Sequence, residues 1–255
     1  MFKGDKVSAK SPGELEIMTR GGKLLGEVKA DLRQAVKVGK SAEDIEKLAV
    51  KLIGQKGGTP SFKAVPGYSW ATCVNVNEGL VHGIPKREIV FKEGDVVSVD
   101  VGMKHGGYHT DTSFTVGLNV DPETEKFLAV GEKTLKEAIS KVKPKAKIFD
   151  ISKAIEDEVL KAGLTPIRDL VGHGIGKKLH EPPQIPCFTF KKREESPEIP
   201  EGATLAIEVM YAQGSHRVEI AKDGWTIAMR DGKISALFEE TVVATAGGPL
   251  ILTEG

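Results

Sequence analysis

The chain runs through one layout twice: two amphipathic helical segments and then short β-type segments, followed by two more helical segments and further β-type segments. A first helix is expected from Ser11, which can cap, with Pro12 at the first helical position and Glu14 completing a capping box. Apolar residues then recur at helical spacing from Ile17, Met18 and Gly21 to Leu32 and Val36. A second helix begins at Ser41, turns Ile45, Ala49 and Ile53 to one side and stops at Gly57-Gly58. β-type segments follow over residues 72–76, 89–91, 96–103 and 110–116. The pattern restarts with helices over 124–142 and 151–162, the latter ending at Gly163, and with β-type segments over 203–211, 225–229 and 234–244.

Local matches tie the two passes together. Asp44-Ile45 aligns with Asp150-Ile151 at an offset of 106 residues, and Ala49 and Ile53 then fall on Ile155 and Val159. Glu93-Gly94 aligns with Glu201-Gly202 at an offset of 108, and an acid stands seven positions after each glutamate: Asp100 and Glu208. The expectation is a duplicated α+β architecture, a short extension over residues 1–10 and one domain over 11–255, with pseudo-repeat halves of about 11–122 and 123–248.

Composition excludes several classes. Lys+Arg 36 against Asp+Glu 36 gives a net charge of zero, which argues against a nucleic-acid binder working by bulk electrostatics. The two cysteines, Cys73 and Cys187, make neither a disulfide framework nor a four-cysteine zinc module. The uncharged stretch 64–77 is too short and too rich in Pro and Gly for a membrane span, and residues 1–10 lack the apolar core of a signal peptide. A soluble, cytoplasmic protein is expected.

The acids carry the chemistry. Asp100 and Asp111 lie in two β-branched runs flanking Gly106-Gly107, and a hairpin turning there sets them almost opposite each other. Like charges so placed are destabilising, and the pair wants a cation or a shared proton. Either aspartate alone reads as a solvent-facing residue on an edge strand. Glu208 and Glu239 shift the weight, because each sits in an apolar β-type run of the second half. Four buried carboxylates without metal each carry a desolvation cost of several kcal/mol, so two divalent cations are the economical complement. Among the histidines, His173 sits in a glycine island at 172–176, His180 follows seven residues later, and His82 occupies a third such island at 81–85. His105, His109 and His216 read as structural.

Assembled, these residues resemble the type I methionine aminopeptidases, a branch of the pita-bread metallopeptidase family. The resemblance spans residues 11–244 and rests on an ordered set: Asn77-Glu78 before His82-Gly83-Ile84-Pro85, Asp100 with Asp111, the 172–176 island with His180-Glu181, the Glu208 segment, Asp223-Gly224-Trp225-Thr226, and Glu239 followed by Thr241. It implies the pita-bread fold, with two pseudo-symmetric halves and helices outside a curved antiparallel sheet. It implies that Asp100 chelates one metal, that Asp111 and Glu239 bridge two, and that His173 and Glu208 complete the coordination of the second metal. One imidazole among four carboxylates suits Co²⁺, Mn²⁺, Fe²⁺ or Zn²⁺ without choosing among them.

The implied activity is removal of N-terminal methionine from nascent proteins and peptides with a small second residue, through a metal-bridging hydroxide. By resemblance Glu208 shuttles the proton, His180 hydrogen-bonds the carbonyl oxygen or the tetrahedral centre, and His82 contacts the scissile amide nitrogen. Tyr68, Cys73, Leu179 and Trp225 match the pocket positions for the methionine side chain, and an Asp231-Gly232 hairpin independently brings Trp225 close to Glu239. Three residues depart from the pattern: Val209 replaces a proline, Leu179 an aromatic residue and Gly102 a hydroxyl residue. Expected partners are nascent polypeptide N-termini, with Lys177, Lys178, Lys191, Lys192 and Arg193 the candidates for transient ribosome contact; no membrane or specific nucleic acid is expected, and the protein is expected to be a monomer.

Two rivals share the fold. X-Pro aminopeptidases and dipeptidases usually carry a further N-terminal domain, whereas about ten residues precede the first helix here. Non-catalytic pita-bread proteins that bind ribosomes or RNA typically lose the metal ligands, and all five positions are present in this sequence. The 31 residues from Glu208 to Glu239 leave no room for the helical insertion of type II enzymes.

Overall fold

A computed structural model describes residues 6–255, so residues 1–5 of the expected extension lie outside the described residues. In the first half α1 (Pro12–Ala35) and α2 (Ala42–Gln55) precede β1 (Thr59–Pro60), β2 (Thr72–Val76), β3 (Gly79–Val81), β4 (Val96–His105) and β5 (Tyr108–Gly117). In the second, α3 (Pro122–Ser140) and α4 (Ile148–Lys161) precede β6 (Thr165–Pro166), β7 (Val171–Gly174), β8 (Glu181–Pro186), β9 (Thr204–Ala212), β10 (Val218–Ile220), β11 (Ile227–Met229), β12 (Ser235–Thr245) and β13 (Gly248–Ile251).

The aligned sequence pairs mark backbone tasks performed twice. Asp44 accepts the Ser41 N–H at the start of α2, and Asp150 accepts the Lys147 N–H at the start of α4, both at 2.9 Å. Gly57 and Gly163 take left-handed φ values of 71° and 74° just beyond those helices. Gly94 and Gly202 do the same at 85° and 80°, turning the chain into β4 and β9. α1 has the expected box, in which Glu14 accepts the Ser11 N–H at 2.8 Å. α3 starts two residues before the expected position because Asp121 caps the Thr124 N–H at 2.8 Å and Pro122 opens the helix.

One antiparallel sheet dominates, in the order β1-β4-β5-β12-β9-β7-β8, with β2 added on β4, β6 on β9 and β13 on β12. Side-chain alternation divides its faces. Val97, Val99, Val101 and Met103 of β4 pack with Leu25, Leu32, Ile45 and Ile53 of α1 and α2. Leu205, Ile207, Val209 and Tyr211 of β9 pack with Ile139, Ile151, Ile155 and Val159 of α3 and α4. Each Leu or Ile so buried contributes about 1.5–3 kcal/mol. The alternate residues, among them Asp100 and Glu208, are thereby placed on the face away from the helices.

Two expected β segments differ. Residues 89–91 make only an isolated bridge, because their backbone is spent on the loop before α2: Gly39 N–H bonds Phe91 O, Ala42 N–H bonds Ile89 O and Phe91 N–H bonds Lys40 O. β11 belongs to a separate three-stranded sheet, β10-β11-β3, and does not pair with β12, so the Asp231-Gly232 turn does not carry Trp225 back along the Glu239 strand. Among the described residues no helix is long and apolar enough to cross a membrane.

Candidate metal centre

Four strands carry an acid row. Asp100 of β4 pairs in register with Ser113 of β5, Ser113 with Glu239 of β12, and Glu239 with Glu208 of β9. The Gly106-Gly107 turn, with φ values of 57° and 92°, joins His105 directly to Tyr108 as partners. That shifts the expected register: Asp111 lies opposite Gly102, so it meets Asp100 on the diagonal and on the same face. His173 of β7 lies opposite Ala206, two residues from Glu208, and joins the same face from the other side. Asp111, His173 and Glu239 each offer a donor atom within 4.8 Å of the others.

The electrostatics are those of acids buried beside one another. Burial raises the Asp100 carboxyl from 3.8 to about 7. Burial, reinforced by the neighbouring acids, pushes Asp111, Glu208 and Glu239 well above the ordinary carboxylate range. Burial drives His173 down to about 3. Every group is thus forced toward its neutral form, as expected where charges lack a counter-charge. Asp100 Oδ1 and Glu239 Oε1 are buried with no hydrogen-bond partner among the described residues. His173 Nδ1 donates to the Gly174 carbonyl at 2.9 Å, which leaves the Nε2 lone pair facing Glu208 Oε1 at 3.5 Å. No hydrogen bond joins the pair, and unpartnered acid oxygens beside an imidazole lone pair are a donor set that fits divalent metal.

Two further histidines border the row. The His180 ring stands edge-on to His173, with centroids 4.6 Å apart. His82 holds a left-handed φ of 57° beside Gly83, whose N–H bonds Asn75 Oδ1 at 3.0 Å and whose carbonyl accepts the Tyr68 hydroxyl at 3.2 Å. Both residues keep exposed surface, and partial withdrawal of their rings from water lowers the imidazoles below their usual value.

Tyr68, Cys73, Leu179 and Trp225 fall into one apolar cluster with Phe62, Ile84 and Ile175. Cys73 is the register partner of Asp100, which sets this cluster against the end of the acid row. Trp225 packs edge-on to Tyr68 at 5.1 Å, so it is the Tyr68 ring that locates it. A Cβ at Gly102 would lie 2.8 Å from Ser61 Cβ and 2.9 Å from Phe62, so the space for a larger residue is already filled. Val209 points into the helix-side core and away from Glu208.

Sequence reasoning missed several supports because their partners are distant in the chain. Glu46, buried on α2, accepts the Ala71 N–H at 2.8 Å, the Thr72 N–H at 2.9 Å and the Thr72 hydroxyl at 2.8 Å, and so fixes the turn before Cys73. Glu181 pairs with Lys10 at 2.8 Å and accepts the Lys178 N–H at 3.0 Å, tying down the loop that carries His180. His109, read as structural, is buried with Nδ1 2.9 Å from Ser61 Oγ. Of the basic residues, Arg193 is engaged with both Asp150 oxygens at 2.6 and 2.8 Å, and Lys177 with Glu14 at 3.2 Å.

A methionine aminopeptidase of Clostridium perfringens is 38% identical over 248 residues, 97% of this chain and 98% of that protein. The crystal structure of a methionine aminopeptidase from Thermotoga maritima matches with a TM-score of 0.94 at 39% identity, covering 98% of this chain and 100% of that one. A prolidase from Pyrococcus furiosus, at 19% identity and a TM-score of 0.77 over 97% of this chain and 65% of its own, shares the fold alone. The architecture is the pita-bread fold, and with residues 16–246 matching its family description, the chain belongs to metallopeptidase family M24.

Proposed function

We propose that the protein is a metal-dependent aminopeptidase that removes N-terminal methionine from peptides and nascent chains in the cytoplasm when the second residue is small. The observation that carries this reading is the acid row with His173 beside it, joined through the Asp100–Cys73 pair to the apolar Tyr68–Trp225 cluster. Asp100, Asp111, His173, Glu208 and Glu239 would hold two divalent cations, which cancel the four carboxylate charges. When bound, the metals supply Lewis acidity toward the scissile carbonyl and make water acidic enough to ionise near neutral pH.

The chain supplies the rest. Glu208, half-buried beside His173, takes the proton of the attacking water on a carboxylate oxygen and passes it to the departing amine. His180 donates to the carbonyl oxygen as negative charge develops there, and His82 bonds the amide nitrogen of the breaking bond. Partial desolvation lowers both imidazoles, which favours the neutral ring that presents one N–H. The Tyr68–Trp225 edge contact walls a pocket for a thioether side chain.

The test is to incubate metal-reconstituted protein with Met-Gly-, Met-Phe- and Ala-Pro-headed peptides, with and without chelator. Methionine release from the first alone, abolished by chelation, is expected. Alanine release from the Ala-Pro peptide without methionine release would favour the proline-directed rival, and activity that survives thorough chelation would overturn the metal mechanism.

A further inference from the structure

The seam between the halves is not an ordinary ladder. β4 and β5 pair along their whole length, and β9 and β12 along most of theirs, whereas β5 and β12 share the single registered pair Ser113–Glu239. To either side of it, threonine hydroxyls stand where backbone groups would bond. Thr241 Oγ1 donates to the Asp111 carbonyl at 2.7 Å and accepts the Asp111 N–H at 2.9 Å. Thr115 Oγ1 donates to the Leu237 carbonyl at 2.6 Å and accepts the Leu237 N–H at 3.2 Å.

These staples are one device used twice. Exchanging Ser113 with Glu239 exchanges Thr115 with Thr241, each two residues later, and Asp111 with Leu237, each two residues earlier. One copy grips a leucine; the other grips an acid of the row. Thr241 is itself held from behind, since its N–H bonds Thr253 Oγ1 at 2.9 Å and that hydroxyl bonds Glu240 Oε2 at 2.5 Å.

We propose that Thr241 is a positioning residue for Asp111, setting that carboxylate against Glu239 and His173 across the seam. One hydroxyl occupies both polar groups of the Asp111 backbone, so the residue cannot slide or tilt along β12. The proposal rests on the dinuclear reading above. Partners that orient a ligand typically contribute about 10–100-fold to metal affinity.

The duplication supplies the control. Thr115 also bonds Ser98 Oγ at 2.8 Å, so T115V disturbs the seam at least as much as T241V without touching an acid of the row. Metal-stripped wild type, T115V, T241V, T241S and T241C are titrated with Co²⁺, followed by calorimetry and by visible absorption of the bound ion, with folding checked by circular dichroism. Wild type, T115V and T241S are expected to take up two ions with similar affinity, and T241V to lose about tenfold or more in affinity with an altered absorption envelope. T241C, with a weaker and longer bond, should fall between; it carries the test if T241V folds poorly. T241V or T241C binding as T115V does would overturn the proposal, and so would T241S binding as poorly as T241V. Uptake of fewer than two ions by wild type would sink the dinuclear reading instead.

Discussion

Glu208 and Glu239 are direct cross-strand partners in the β9–β12 ladder, the arrangement in which like charges repel most. Stability without metal should therefore depend on pH in a particular sense. Asp100 is raised to about 7 in the folded protein, and Asp111, Glu208 and Glu239 are also raised, so from about pH 4 upward the folded state holds protons that the unfolded chain has released. These acids lose stability as pH rises through that window, whereas His173 and His109, held down to about 3 and 4, gain it until the unfolded imidazoles lose their protons near 6.5, so above pH 7 the fall belongs to the acids. Acids lowered by their partners, such as Glu14 at about 2, are ionised throughout and add no slope above pH 5. Thermal melts of chelator-treated protein should give a higher Tm at about pH 7 than at about pH 8.5, above the range of the histidines, with Mn²⁺ or Co²⁺ removing the difference; equal Tm values in the stripped protein would contradict the burial of these charges.

His180→Ala should separate chemistry from metal binding. The ring lies edge-on to His173 and outside the acid row. Turnover on a Met-Gly peptide should drop by about 10²–10³-fold, within the range for loss of one transition-state hydrogen-bond donor, while metal content by elemental analysis stays at the wild-type level. Metal lost in proportion to activity would make His180 a ligand instead.

Trp225→Ala should act on specificity. It removes half of the edge-to-face pair with Tyr68. KM for Met-headed peptides should rise about tenfold or more with a smaller change in kcat, since a pocket contact of this size contributes about 1–3 kcal/mol. Equal rates on methionine and norleucine peptides in the wild type would remove the thioether argument while leaving the pocket.

Glu46→Ala should destabilise the fold by about 1–3 kcal/mol in urea unfolding, because the Ala71 and Thr72 N–H groups and the Thr72 hydroxyl lose a buried acceptor. Glu46→Gln, which keeps an oxygen, should lose less. The same turn carries the Thr72 carbonyl to which Tyr68 donates at 2.8 Å, so KM should rise alongside.

What could be read from the residues followed how local the signal was. α1 and α2 declared themselves through Ser11 and Ser41 because a cap and its box lie within four residues. β4, β5, β9 and β12 were legible because their β-branched runs are long, and the acids stood out against them. β7 went unread as a strand because Gly172 and Gly174 suppress the pattern, and β8 because Pro182, Pro183 and Pro186 do the same. The Asp100–Asp111 register was missed by one pair, since the turn spans only Gly106 and Gly107 and nothing in sequence counts a turn's residues. Glu46 and Thr115 were silent for a different reason, since each acts on backbone far away in the chain, where no spacing rule reaches; Glu181 and Thr241 stood in the sequence as motif members whose partners it did not reveal.

The seam has one more consequence. Asp100 and Asp111 come from the first half, and His173, Glu208 and Glu239 from the second, so the donor set exists only where β5 meets β12. A chain folded in one half alone displays two or three separate side chains that water can hydrate, and nothing that resembles the assembled row. On the proposed reading, peptide hydrolysis therefore depends on the two halves being joined where β5 meets β12.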